Sequence, residues 1–217
     1  MIKVLKSHGE LDSCRNRLIE HGLPLHVDSY KNWDLFYLNQ FVDSFEKDIK
    51  VLDSGCWNLQ VAKILKHKGY KDITCIDLYE SDKHWKNDNK RNKELGVVLE
   101  KGNAEDTRFD DNCFDLVTSV SVIEHGVNVD RFLKETSRIL KTEGHLFLTC
   151  DYWETKIDTL PGWNIFSKEE INELILTAKE FNLNLLNEVI IPDCDERVVE
   201  WLGKSYTFLL MIFKVSK

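Results

Sequence analysis

The sequence lacks a long apolar run, a surplus of positive charge and a closely spaced pair of cysteines. Its apolar runs are shorter than the roughly 18 residues that a membrane-spanning helix needs. The net charge of −8 disfavours a general nucleic-acid-binding surface. The first residues, MIKVLKSHGELDSCRNRL, are polar where a secretory signal would be apolar. We therefore expect a cytoplasmic protein with no membrane insertion and no nucleic-acid partner; the sequence does not indicate its oligomeric state.

The six cysteines do not have metal-ligand spacing. None belongs to a CxxC pair, and none stands at ligand spacing from a histidine. Four of them, Cys56, Cys75, Cys113 and Cys150, lie in or beside apolar segments that are typical of strands. Reduced, buried side chains are therefore expected, and no metal site is predicted.

Proline and glycine are scarce, with three and ten residues in 217, and no flexible linker divides the chain. A single domain over residues 1–217 is expected. Apolar segments typical of strands occupy 49–54, 72–78, 96–102, 113–122, 144–152, 183–191 and 206–215, and helical patterns occupy 59–69, 81–95, 129–140 and 167–181. This alternation predicts an α/β fold with a Rossmann-like, mostly parallel sheet and helices on both faces. The last two strands are expected to pair antiparallel at one edge, and residues 1–47 to form a helical lid over an α/β core at 48–217.

Three segments at the predicted carboxyl ends of strands contain residues suited to a ligand. The first is Asp53-Ser-Gly55-Cys56, in which Gly55 allows a close approach of the backbone. Asp53 would repel a pyrophosphate and suits a cationic or amine-bearing ligand. The expected second and third glycines are absent, because Trp57 and Leu59 stand in their places.

The other two segments suit a nucleoside. Asp77, followed by Leu78, ends the second strand and can accept hydrogen bonds from both hydroxyls of a ribose. Asn103, Ala104 and Glu105 follow the third strand, where an amide side chain and a backbone N–H can meet the edge of an adenine ring.

These loops, followed by FDLVTSVSVIEH at 114–125 and LKETSRILKTEGHLFLTCDY at 133–152, resemble the class I S-adenosylmethionine-dependent methyltransferases of the type 11 group. The resemblance covers about residues 51–152. It implies a seven-stranded sheet with a reversed last strand and S-adenosylmethionine as cofactor. By the same resemblance, the cofactor would be bound by Asp53, Gly55, Cys56, Asp77, Leu78, Asn103, Ala104 and Glu105, with Ser119 binding the methionine amine through its carbonyl.

Methyl transfer depends mainly on positioning, with a general base where the acceptor must lose a proton. His125 is a candidate base, Glu124 could orient it or touch the cofactor, and Asp151 at the end of the fifth strand is a second candidate. Aromatic candidates for acceptor binding are Tyr30, Trp33, Tyr152, Trp153 and Trp163; packing in the core is the alternative for each.

Two functions remain open. The first is methyl transfer from S-adenosylmethionine to a small molecule such as a sugar, a lipid or a secondary metabolite. The second is a catalytically degenerate binding or scaffold protein in which Trp57 fills the cofactor pocket. A nucleotide-sugar or NAD enzyme is disfavoured, because it would need the missing glycines and no acid beside the phosphates.

Overall fold

The alternation of strands and helices is present in a computed structural model, which describes residues 1–79, 82–187 and 190–217. The helices are α1 (His8–Glu20), α2 (Asn32–Phe41), α3 (Gln60–His67), α4 (Asp82–Leu95), α5 (Val129–Ile139) and α6 (Lys168–Glu180). The strands are β1 (Ile2–Val4), β2 (Lys50–Ser54), β3 (Asp72–Asp77), β4 (Val98–Lys101), β5 (Phe114–Val120), β6 (Leu140–Tyr152), β7 (Leu183–Leu185), β8 (Val199–Trp201) and β9 (Lys204–Val215).

The strand order along the sheet is β1-β9-β6-β5-β2-β3-β4, with β7 and β8 also paired to β9. Neighbouring strands run parallel over the part of the sheet ordered β4-β3-β2-β5-β6. β9 runs antiparallel to β6, so the reversed last strand is confirmed. The chain moves outward from β2 through β3 to β4 and then returns to the other side of β2 at β5. Ligands of open α/β sheets bind at such a switch point, beyond the carboxyl ends of the strands.

Local sequence explains why the helices begin where they do. The predicted capping box of α6 is present: the Ser167 hydroxyl accepts a hydrogen bond from the N–H of Glu170, whose carboxylate accepts one from the N–H of Ser167. Asn128 caps α5 with a single hydrogen bond, which its side-chain oxygen accepts from the N–H of Arg131.

Helices cover both faces of the sheet, as expected. On one face, α1, α2 and α3 contribute apolar residues to a core with the sheet. On the other face, α5 and α6 do so. Residues on the sheet alternate between the two cores: Phe147 lies in the first, whereas Leu146 and Leu148 lie in the second.

Three expectations need correction. Within the described residues the sheet has nine strands rather than seven, because the short strands β1 and β8 were not predicted. β9 is not at an edge, since β6 pairs along one side of it and β1 and β7 pair along the other side. The predicted strand 183–191 is present only as β7, and its residues 188–189 lie outside the described part, as does Ser81 of the predicted helix 81–95.

The predicted N-terminal helical lid is not confirmed. Apolar side chains of α1 and α2, among them Leu18, Trp33 and Leu38, are fully buried in the core on one face of the sheet. A helix with that much apolar surface is stable only when it is covered on that side. The division of the chain at residue 47 stays a prediction, and β1 pairs with β9 in the same sheet as the other strands.

Candidate functional site

Two adjoining cavities lie beyond the carboxyl ends of β2, β3 and β5. The first, which we call the nucleoside cavity, has a volume of about 390 Å³ and is lined by Gly55, Trp57, Ile76, Asp77, Leu78, Gly102, Asn103, Ala104, Glu105, Ser121, Val122, His125, Gly126 and Val127. The second, the acceptor cavity, has a volume of about 830 Å³ and is lined by His26, Val27, Asp28, Ser29, Lys31, Gly55, Trp57, Val120, Ser121, Glu124, His125, Asp151, Trp163, Trp201, Leu202 and Tyr206. Because Gly55, Trp57, Ser121 and His125 line both, a group bound in one cavity can reach a group bound in the other.

Gly55 is required by the shape of the first turn. Its φ is +80°, which a side chain disfavours. A Cβ atom at this position would lie 2.3 Å from Cγ2 of Val122. The glycine thus lets the loop after β2 pass close to the segment after β5, where both cavities begin.

Two adjacent residues of this turn adopt glycine-like backbone angles: Leu59, which stands in place of one missing glycine, and Asn58 before it. Asn58 has a φ of +65° and Leu59 a φ of +54°, and a left-handed conformation costs a leucine roughly 1–2 kcal/mol. Leu59 is fully buried, so packing offsets that cost. The Trp57 side chain is 49% exposed and packs edge-on against His84, 5.7 Å between ring centroids. The loop can form without the glycines because Asn58 and Leu59 adopt positive φ angles. The Trp57 indole lies at the wall of the nucleoside cavity and does not fill it.

Asp88 on α4 holds this loop in place. Its buried carboxylate accepts hydrogen bonds from the N–H of Asn58 (3.0 Å), the hydroxyl of Tyr79 (3.0 Å) and the guanidinium of Arg91 (3.0 Å). Asp88 therefore holds the strained turn in place from outside the cavity. The sequence did not indicate this role, because α4 contains many polar residues and nothing distinguishes Asp88 among them.

Asp77 lines the nucleoside cavity at the end of β3, as predicted. Its carboxylate accepts hydrogen bonds from the N–H of Trp57 (3.2 Å) and the N–H of Tyr79 (3.3 Å). Burial raises the pKa of this carboxyl, and these N–H groups oppose the rise. The contacts orient the carboxylate, whose remaining lone pairs suit a pair of ribose hydroxyls.

Asn103, Ala104 and Glu105 also line the nucleoside cavity. The side-chain oxygen of Asn103 accepts from the N–H of Glu105 (2.9 Å), so its amide nitrogen is the group suited to an adenine edge. The Glu105 carboxylate accepts from the N–H of Asn128 (3.0 Å). Glu105 is thus already bonded to the start of α5, which leaves less of it for a ligand.

Three predicted cofactor residues lie outside the described lining of both cavities. Asp53 is buried beneath the loop, where it accepts from the Thr118 hydroxyl (2.9 Å), and burial raises its pKa to about 7. Cys56 is buried with its Sγ 3.6 Å from the Tyr79 hydroxyl. Ser119 is fully buried within β5. Asp53, Cys56 and Ser119 are buried below the two cavities, because their side chains point into the protein interior and not toward the ends of the strands.

The acceptor cavity contains an ammonium that sequence reasoning missed. The largely buried Lys31 donates a hydrogen bond to the Ser121 hydroxyl, lies 3.6 Å from the Asp151 carboxylate and stands 3.7 Å from the ring centroid of Phe208. Burial alone would lower the pKa of Lys31, but the carboxylates of Asp151, Asp34 and others raise it. In the sequence, Lys31 follows Tyr30, which was predicted to bind the acceptor. This neighbourhood was the only feature of the sequence that could have pointed to Lys31.

Ser121 joins the two cavities and was also missed. It follows β5 with a φ of +52°, and its N–H donates to the carbonyl of Thr149 on β6 (3.1 Å). A non-glycine residue with positive φ in such a place is typical of functional sites. The sequence pointed two residues earlier, to Ser119, since the end of the strand was not readable from SVSV.

Glu124, His125 and Asp151 lie together on the wall of the acceptor cavity. Glu124 is fully buried, and neither of its carboxylate oxygens has a hydrogen-bond partner among residues 1–79, 82–187 and 190–217. Burial and the nearby Asp151 raise the pKa of Glu124 well above its ordinary value. Burial lowers the pKa of His125, against the opposing effect of Asp151. These side chains could act as a general base, and the two carboxyl groups also suit a positively charged ligand.

The predicted aromatic residues are mostly not the ones that line the acceptor cavity. Trp33 is fully buried and donates from its indole nitrogen to Glu10 (2.9 Å). Tyr152 points to the opposite face of the sheet from Asp151, its neighbour on β6. Trp153 packs under the guanidinium of Arg197, 4.4 Å from the ring centroid. Tyr30 packs partly buried against the core of that face.

Trp163 does line the acceptor cavity, together with Tyr206 and Trp201. The indole of Trp163 donates to the Asp151 carboxylate (2.9 Å) and packs edge-on against Tyr206, 5.8 Å between ring centroids. Its indole therefore orients Asp151, and the three aromatic rings give the cavity an apolar wall.

Comparisons with known proteins agree with this geometry. Residues 52–148 match the family profile described as a methyltransferase domain. Residues 52–148 form a methyltransferase domain. The resemblance to class I S-adenosylmethionine-dependent methyltransferases of the type 11 group is thereby confirmed.

One curated relative is the sarcosine/dimethylglycine N-methyltransferase of Halorhodospira halochloris, which is 35% identical over 106 residues. The match covers 47% of this chain and 37% of the relative, so the chain spans well under half of that relative's length.

Solved structures show the same fold over nearly the whole chain. A candidate sarcosine dimethylglycine methyltransferase from Galdieria sulphuraria has a TM-score of 0.68 at 18% identity, covering 94% of this chain and 98% of that one. The [4+2]-cyclase SpnF has a TM-score of 0.69 at 16% identity, covering 95% and 93%. Because a cyclase shares the architecture, the fold alone does not specify the reaction.

S-adenosylmethionine is the cofactor implied by the match to a methyltransferase domain, and the described residues fit it. Gly55 lines the nucleoside cavity where the loop passes close to Val122, Asp77 suits the ribose, and Asn103 suits the adenine. In the described parts of the chain, no three metal-binding side chains are grouped as ligands. The helices described there are also too short or too polar to cross a membrane.

Proposed function

We propose that this protein transfers a methyl group from S-adenosylmethionine to the nitrogen of a small amine. The observation that supports the proposal most strongly is the Glu124 carboxylate, which is fully buried in the wall of the acceptor cavity with no hydrogen-bond partner in the described chain. A buried acid without a partner is costly, and a ligand that bonds to it removes that cost.

The charges in the acceptor cavity favour a basic ligand over a neutral sugar. Glu124, Asp151 and Asp28 line the cavity, and Lys31 is the cation that offsets them. The aromatic rings of Trp163 and Tyr206 complete a wall that suits an ammonium group. The curated relative named as an N-methyltransferase of sarcosine and dimethylglycine supports the same class of acceptor.

S-adenosylmethionine, when bound, supplies the methyl group from an electrophilic sulfonium. An amine is protonated at neutral pH and has no lone pair until it gives up its proton. We assign that proton to the Glu124 carboxylate: burial raises its pKa, which makes it a stronger base once it is ionised. The amine lone pair then forms the N–C bond, and the electron pair of the broken C–S bond stays on sulfur.

Other residues position the acceptor and exclude water. Asp151, oriented by the indole of Trp163, binds the ammonium beside Glu124. Ser121, held by Lys31, and His125 form the wall between the cavities, where donor and acceptor must meet. Such positioning supplies much of the acceleration in a direct displacement.

The test is methyl transfer by Glu124→Gln, which keeps the shape of the side chain and removes the base. We expect kcat to fall about 10²–10⁴-fold, while the affinity for the demethylated cofactor stays within about threefold. Wild-type kcat/KM should rise with pH as Glu124 loses its proton, and the variant should lose that dependence. Glu94→Gln, an exposed acid on α4, is the matched control. Full activity of Glu124→Gln would refute the assignment.

A further inference from the structure

The mouth of the acceptor cavity is unusually apolar. Val27 is 76% exposed, Trp201 is 60% exposed and Leu202 is 62% exposed, and all three line this cavity. Single exposed apolar side chains are common, whereas a group around one opening indicates a binding surface. We call Val27, Trp201 and Leu202 the apolar rim.

The backbone at Leu202 gives independent support. Leu202 and Gly203 form the tight turn between β8 and β9, with φ values of +46° and +72°. Two positive φ angles are the pattern of a type I′ turn, in which asparagine, aspartate or glycine is strongly preferred at the first position. A leucine there strains the backbone and exposes its side chain to water, so neither folding nor solubility explains it.

The cavity beyond the rim is large and polar at its depth. Its volume of about 830 Å³ lies in the range of pockets for ligands of drug size. An amino acid the size of sarcosine would leave most of it to water. The acids Glu124 and Asp151 lie on the same lining as the rim, so a ligand that fits has a basic end and an apolar end.

We propose that the acceptor is an amphiphilic amine, with its nitrogen at Glu124 and Asp151 and an apolar tail against the apolar rim. This inference rests on the proposed function for the amine and adds the tail. It assigns Leu202 and Trp201 as specificity-determining residues. Short amines do not reach these side chains and therefore bind more weakly than amines with a longer apolar tail.

The experiment measures binding and turnover along a series of straight-chain amines from methylamine to hexylamine. Binding is followed by calorimetry on the full chain saturated with the demethylated cofactor, and turnover with S-adenosylmethionine. Burial of each added methylene is expected to improve affinity about two- to fourfold, and kcat/KM should rise in parallel. Hexanol, which keeps the tail and replaces the amine by a hydroxyl, is the third probe.

The informative variant is Leu202→Asn. Asparagine suits the first position of the turn, so thermal stability is expected to stay equal or to rise. The preference for hexylamine over methylamine should nevertheless fall about tenfold. Leu176→Gln, which removes an equally exposed leucine from α6, is the control and should keep the wild-type preference.

The possible results separate the two proposals. Equal binding of methylamine and hexylamine, or a preference that Leu202→Asn leaves intact, overturns the apolar tail and leaves the amine. Tighter binding of hexanol than of hexylamine, with the same dependence on Leu202, supports the tail site and overturns the amine. Binding of none of these probes overturns both.

Discussion

The Lys31 ammonium lies 3.6 Å from the Asp151 carboxylate and donates a hydrogen bond to Ser121. These contacts connect three distant parts of the chain: the segment before α2, the end of β6 and the end of β5. The acceptor cavity is therefore assembled only when the N-terminal segment has packed onto the sheet. The cavity is also rich in acidic groups, because Lys31 lies in a lining that contains the carboxylates of Asp28, Glu124 and Asp151.

Cofactor binding is expected to depend on Asp77. The Asp77→Ala variant should bind the demethylated cofactor about ten- to hundredfold more weakly, since hydrogen bonds to a charged group contribute about 1.5–3 kcal/mol. Calorimetry on the purified chain measures the change. Asp110→Asn, at an exposed position away from both cavities, should bind as the wild type does. Unchanged affinity in Asp77→Ala would place the ribose elsewhere.

Removal of the Trp57 side chain distinguishes an open loop from a blocked one. The indole is half exposed against His84, so Trp57→Ala should not tighten cofactor binding. The scaffold hypothesis, in which the indole fills the pocket, instead predicts a large gain in affinity. A tenfold or greater gain measured by calorimetry would support that hypothesis.

Asp88 is expected to stabilise both the loop and the fold. Asp88→Ala leaves the N–H of Asn58 and the hydroxyl of Tyr79 without their acceptor, which should lower the free energy of unfolding by about 3 kcal/mol. Cofactor affinity should fall as well, although Asp88 is not among the residues that line the two cavities. Urea unfolding and calorimetry, with Glu94→Gln on the same helix as control, measure both effects. A loss of stability with unchanged affinity would mean that the loop does not need this anchor.

Asp53 is expected to make stability depend on pH. Burial raises its pKa from 3.8 to about 7 in the folded protein, so folding penalises the ionised form. The penalty is absent below about pH 4, grows as the pH rises and is complete above about pH 7, where it reaches at most about 4 kcal/mol. Asp53→Asn should therefore gain stability relative to the wild type over that interval. Thermal unfolding of both proteins between pH 4 and pH 8 measures the difference, and a constant difference would contradict the shift.

The sequence predicted the nucleoside side of the site better than the acceptor side. Gly55, Asp77 and Asn103 lie at or just after the ends of β2, β3 and β4. Because neighbouring parallel strands end at one edge of the sheet, local patterns were enough to predict that these residues lie close together. Lys31 and Ser121 could not be found this way, because their positions depend on helix packing and on a positive φ.

The aromatic residues show a second limit. Tyr152 was chosen from its place beside Asp151, but adjacent residues of a strand face opposite sides of the sheet. Trp33 was chosen from an aromatic-rich segment, and that richness reflects the core beneath α2. Trp201 lies on β8, a strand too short to recognise from its sequence.

The most direct measurement of the central claim is carbon NMR of a reaction that contains the full chain, S-adenosylmethionine labelled at its methyl carbon, and hexylamine. The account predicts that the label moves from the sulfonium to the amine nitrogen and appears as an N-methyl resonance, and that this signal is strongly reduced with Glu124→Gln. If the cofactor binds but the label stays on sulfur with every amine supplied, or moves only to a hydroxyl acceptor, the assignment of an amine methyltransferase is wrong.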